Sequence, residues 1–96
     1  MRSAQDILGM LHARKDMLRD RFSVQRIGLF GSCARGVARS DSDIDVLVEL
    51  SEPTFDHYMD LKFFLEDLLA APVDLVLADC VKPRLQPLIE REVVYA

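Results

Sequence analysis

Apolar positions fall at two spacings along this chain, and the alternation between them predicts its elements. Ser3 and Asp6 form a capping-box-like start, after which Ile7, Leu8, Leu11, Leu18 and Phe22 recur at helical spacing. Asp16 and Asp20 sit among basic neighbours on the polar side, so the pattern predicts a first helix over about residues 4–20. Val24 to Phe30 reads as a strand of β-forming residues ending at Gly31, where the chain can turn sharply. Ile44-Asp45-Val46-Leu47-Val48 reads as a second strand, buried on both faces for most of its length. Pro53 and Thr54 then open a helix in which Met59, Leu61, Phe64, Leu65 and Leu68 make a broad apolar face as far as Ala71, and Pro72 stops it. Val73 to Leu77 is a third strand. Pro83 opens a last short helix over roughly 84–91, with Pro87 limiting its first turn, and Val93-Val94-Tyr95 either forms a final short strand or packs down.

With a short helical segment after Gly31, the order is αβαβαβα, without repeats, low-complexity tracts or a linker. The fold class expected is α/β (α+β): a small mixed sheet flanked by helices, in one domain spanning residues 1–96. Periodicity does not give strand order or direction. Phe55, Phe63, Phe64 and Met59 are most simply core residues, with a partner surface as the alternative for part of that face, and His12 and His57 lack any ligand pattern.

Charge and cysteine content narrow the function classes. Twelve basic against sixteen acidic side chains give a net charge of −4, the wrong sign for a general binder of nucleic-acid backbones. Cys33 and Cys80 belong to no C-x-x-C or Cys/His cluster, which argues against zinc or a disulfide scaffold and for reduced thiols in a cytoplasmic protein. No apolar run approaches the roughly 20 residues that span a bilayer, and the N-terminus does not look like a targeting signal, so a soluble, unprocessed protein is expected.

The chemistry concentrates between Leu29 and Val48. A strand ends in Gly31-Ser32, a short helical stretch follows, and a second strand opens with Asp43-Ile44-Asp45. Residues two apart on a strand share a face, so Asp43 and Asp45 project together and repel unless a cation lies between them. Mg²⁺ takes such hard oxygen ligands, usually one or two carboxylates plus substrate phosphates, which makes a nucleoside triphosphate a natural companion. Gly31 lets backbone approach a phosphate, and Ser32 offers a hydroxyl and an N–H at a helix N-terminus. Asp74, an acidic residue within a third apolar strand, reaches the same site if its strand lies beside that of Asp45, as metal ligand or as general base. Arg35, one turn into the helix, suits phosphate recognition, although a solvated ion pair explains it equally well, and Arg39 ranks below it. Each element alone has an ordinary reading as a turn, a cap or a salt bridge; their order and combination are what carry the inference.

Gly-Ser, about ten residues and Asp-x-Asp, followed by a later strand-borne acid, resemble the nucleotidyltransferase superfamily related to DNA polymerase beta. Gly31-Ser32-Cys33-Ala34-Arg35-Gly36 and Ser42-Asp43-Ile44-Asp45, in a chain this short, are similar to the minimal nucleotidyltransferases of the MntA type, antitoxins paired with HEPN-domain toxins. The resemblance extends through Lys82-Pro83-Arg84-Leu85 and Arg91-Glu92-Val93-Val94-Tyr95. It implies a parallel or mixed sheet and two Mg²⁺ ions on Asp43 and Asp45, with Asp74 completing the triad. It also implies adenylyl transfer from ATP to a tyrosine of the toxin, with which the chain would form a hetero-oligomer. Two other readings remain: a binding antitoxin that masks its partner, and a small-molecule nucleotidyltransferase of the aminoglycoside-modifying type. The second is disfavoured because so short a chain lacks the walls to enclose a small acceptor.

Overall fold

Why the first helical stretch is not one rod is visible in its own pattern. The computed structural model describes residues 3–31 and 43–96, and there helix α1 (Ala4–Ala13) is followed by α2 (Lys15–Phe22), with Arg14 between them at φ −109°, ψ 13°. Positions three and four beyond the buried Leu11 hold Arg14 and Lys15 where a continuous stripe needs apolar side chains. The expected 4–20 helix therefore breaks at its polar middle and resumes to bury Leu18 and Phe22. Ser3 caps α1 as expected, accepting from the Asp6 N–H while Asp6 accepts from the Ser3 N–H. Ser23 ends α2 in the left-handed conformation, and its Oγ donates to the Glu52 carbonyl, tying the start of one strand to the end of the next.

Strands β1 (Val24–Leu29), β2 (Ile44–Leu50), β3 (Val73–Leu77) and β4 (Val94–Tyr95) make one mixed sheet in the order β3-β2-β1-β4. β1 is antiparallel to both its neighbours, whereas β2 and β3 are parallel. The parallel pair needs a crossover, and α3 (Phe55–Leu69) supplies it. Thr54 caps α3 by accepting the His57 N–H; Ala70 terminates it in the left-handed conformation, two residues ahead of Pro72. Ile7, Leu11, Leu18, Phe22, Leu61, Leu65 and Leu69 pack on one sheet face against Ile27, Leu29, Val46, Val48, Val73 and Leu75. Leu47, on the other face, is buried too, as the continuous apolar run of β2 predicts.

Two further expectations need correction, and one open alternative is decided. The last helix is α4 (Gln86–Glu92), opened by Pro87 in its first turn rather than by Pro83, because a ring without an N–H fits only where that N–H has no helical partner. The terminal residues do form a strand, pairing Gly28 with Tyr95 and Leu29 with Val94. Phe55 and Phe63 are not core: they are 75% and 56% exposed, while Phe64 lies 5.5 Å from the Phe22 ring. The short helix expected after Gly31 lies outside the described residues. No described helix is long and apolar enough to cross a membrane.

Candidate active site

Strand alternation sends Ile44, Val46 and Val48 into the core and Asp45, Leu47 and Glu49 to the opposite face. On β3, Val73 and Leu75 face the core and Asp74 does not. The parallel register sets Asp45 directly opposite Asp74, so both carboxylates leave the same face from adjacent strands, which run about 4.8 Å apart. Asp43 stands one residue ahead of β2, exposed, rather than within the strand. The start of β2 is held on both sides: the Phe30 N–H donates to the Asp45 carbonyl at 3.1 Å, and the Ile44 N–H to the Pro72 carbonyl at 2.9 Å.

The electrostatics agree with that placement. Burial pushes the Asp45 carboxyl above the usual carboxylate range, and the charges of Asp74 and then Asp43 push it further the same way. Among the described residues none of the three has a salt-bridge partner, so no described cation offsets the negative charge gathered at this end of the sheet. Such a donor set suits a hard divalent cation. Among the described residues, however, no three His, Cys, Asp or Glu side chains form a ready-made ligand cluster. A cation held here would take part of its shell from water and substrate oxygens, as Mg²⁺ ordinarily does.

Gly31 has a second reason to be glycine. Its φ is +69°, and a Cβ there would lie 3.2 Å from the Asp45 Cγ and press on Oδ2. The space a side chain would fill at Gly31 is occupied by the Asp45 carboxylate, so the glycine two residues beyond β1 sets where that carboxylate can stand. Ser32 and Arg35, the other expected nucleotide contacts, lie outside the described residues.

Sequence reasoning missed the part played by the C-terminus. A Cβ on Gly28 would meet the Val94 carbonyl at 2.7 Å and the Tyr95 ring at 3.1 Å, so the bare strand position admits β4, and the Arg26 guanidinium covers the Tyr95 ring at 4.8 Å. Ala78, Val81, Gln86, Ile89 and Glu90 then close over Leu47, leaving a cavity of about 120 Å³ on the face that carries Asp45. The only sequence signal was a glycine inside a strand pattern together with a short β-forming terminus.

A strand-turn entry, a register-paired couple of carboxylates on a mixed sheet and a crossover helix define an enzyme of the nucleotidyl-transfer class. The chain belongs to the nucleotidyltransferase domain family, whose sequence profile matches residues 14–96. Over 96 residues it is 43% identical to the protein adenylyltransferase MntA of Thermococcus cleftensis, covering 99% of this chain and 97% of that one. A solved structure described provisionally as a minimal nucleotidyltransferase superposes with TM-score 0.75 at 40% identity, covering 91% of this chain and 93% of that one. A crystal structure of a toxin-antitoxin with AMP-PNP superposes with TM-score 0.71 at 27% identity, covering 88% and 69% of the two chains.

Proposed function

We propose that this chain is a Mg²⁺-dependent protein adenylyltransferase that moves AMP from ATP to a hydroxyl, a tyrosine, of a HEPN-domain toxin in the cytoplasm, and so acts as its antitoxin. The observation that carries the proposal is the pairing of Asp45 with Asp74 across parallel strands, with the Asp45 carboxyl raised by burial and then by the charges of Asp74 and Asp43. The kinship to a protein adenylyltransferase and the likeness to a toxin-antitoxin structure holding an ATP analogue support the same reading.

In this reading Asp43 and Asp45 hold the ions, two in number, and Asp74 either joins them or serves as the base. Bound Mg²⁺ supplies charge neutralisation for the triphosphate and lowers the pKa of an oxygen beside it. The Gly31-Ser32 backbone and the Arg35 guanidinium orient the phosphates. The acceptor oxygen bonds to the α-phosphorus, the bond to pyrophosphate breaks, and the acceptor's proton passes to Asp74 or to solvent beside it. A masking antitoxin, by contrast, needs no carboxylates gathered on one face and pays for their repulsion without return.

Stoichiometry separates the two. With ATP and Mg²⁺, one-twentieth of an equivalent of this chain is expected to silence an excess of toxin, each toxin gaining the mass of at least one adenylyl group. Chelation with EDTA and Asp43→Asn should each stop the mass change. A toxin that stays unmodified, yet is silenced at one equivalent without ATP, overturns the enzymatic reading.

A further inference from the structure

We infer that the solvent-facing stripe of α3, together with the groove beside β3, is a docking surface for a basic amphipathic helix of the protein that receives the nucleotidyl group; this rests on the adenylyltransferase reading above. Phe55, Met59 and Phe63 recur at i, i+4 and i+8 along a flank of α3 beside the buried Leu61, Leu65 and Leu69; Met59 is half-buried, and the two phenylalanines are the most exposed of the large apolar side chains described. Eight residues of helix separate the two rings, about 12 Å along the axis, the length of two turns of a partner helix. Phe55 also borders a groove of about 480 Å³, lined by Pro53, Phe55, Tyr58, Leu75, Leu77 and Cys80, so stripe and groove are continuous. Solvent-exposed aromatic pairs of this kind cost solubility and are retained where they anchor a partner.

The form and charge of the occupant follow from what surrounds the stripe. β3 is an edge strand, but its outward Leu75 carbonyl accepts from the Tyr58 hydroxyl at 2.6 Å and its Val73 N–H donates to Glu66 at 3.2 Å. Side chains of α3 thus occupy backbone groups that an added strand would need, which leaves the apolar surface, and a helix, as the mode of contact. Asp56, Asp60 and Asp67 are exposed along α3, and none has an ion-pair partner among the described residues. The last turn of α3 carries no basic residue although the helix dipole favours one there, so Asp67 presents negative charge at the end where it is least compensated. Apolar anchors rimmed by unpaired carboxylates are complementary to an apolar stripe flanked by Lys and Arg. A patch of two rings suits a contact that forms and releases with each turnover.

The test uses the full chain with its HEPN-domain protein, ATP and Mg²⁺. Phe55→Gln with Phe63→Gln is expected to raise KM for the protein substrate at least about tenfold while kcat and the KM for ATP stay within about twofold, since aromatic anchors act on binding alone. Asp60→Lys with Asp67→Lys, which leaves the rings intact, should raise the same KM and weaken its increase with salt. An unchanged protein KM in both variants overturns the inference, as does a fall in kcat with KM unchanged, or conversion of a dimer of this chain to monomer with transfer unaffected. Thermal melts of both variants should match the parent. Wild-type chain that transfers no AMP counts against the function proposed above and not against the surface, because binding of the toxin to Asp43→Asn, with and without the two ring substitutions, still reads the docking face directly.

Discussion

Replacing Gly31 with alanine adds one methyl group at a position where two separate costs arise, and a double-mutant cycle can part them. At φ +69° an L side chain costs about 1–2 kcal/mol against the neighbouring carbonyl. The same Cβ lies 3.2 Å from the Asp45 Cγ and closer still to Oδ2, a contact that overpacking data put at about 1–3 kcal/mol once neighbours give way. Asp45 cannot give way freely, since Asp74 stands opposite it and its own backbone carbonyl is held by Phe30. The sum, about 2–5 kcal/mol, is a large share of the roughly 5–14 kcal/mol expected for a domain of this size. It corresponds to a fall in Tm of about 8–40 °C. Urea unfolding of the parent, Gly31→Ala, Asp45→Ala and the double variant reads it, with midpoints compared at constant slope. In the Asp45→Ala background the contact is gone and only the backbone strain remains, so the two changes should couple by about 1–3 kcal/mol. Additivity to within about 0.5 kcal/mol would mean that the glycine does not hold the carboxylate in place, and the reasoning would fall.

Asp45→Asn is expected to stabilise the protein at neutral pH, and the sign follows from the raised carboxyl. A pKa higher in the folded than in the unfolded state means that ionised Asp45 costs stability above the folded value; the cost disappears as pH falls below the ordinary value of about 3.9. Melts of the Asn variant should therefore exceed the parent's at pH 7 and converge with them near the acid end, and a lower Tm at pH 7 counts against carboxylate repulsion. Ala70→Gly should gain about 0.5–1 kcal/mol, because Ala70 caps α3 at φ 53° with its side chain exposed. A loss of stability there means the cap conformation differs.

The sequence by itself determined most of the elements, because local periodicity and capping are local physics. β3 was expected over Val73 to Leu77 and stands there, and Ser3 and Thr54 cap the helices they were expected to open. It also supplied the reason to look at Asp43, Asp45 and Asp74 together, through residue types in an order. What it could not contain was the register. Whether Asp74 meets Asp45 depends on β3 lying parallel to β2 with those two residues opposite, and that follows from how α3 packs its Leu61, Leu65 and Leu69 side across the sheet. The same holds for Phe55 and Phe63, whose apolar character reads as core until the helix has only one face to bury and the leucines take it. Gly31 and Gly28 show the difference most directly. Their freedom to turn or to leave space is legible in the chain, but the Asp45 carboxylate and the Tyr95 ring that use the space come from other strands, and only the closed sheet brings them there.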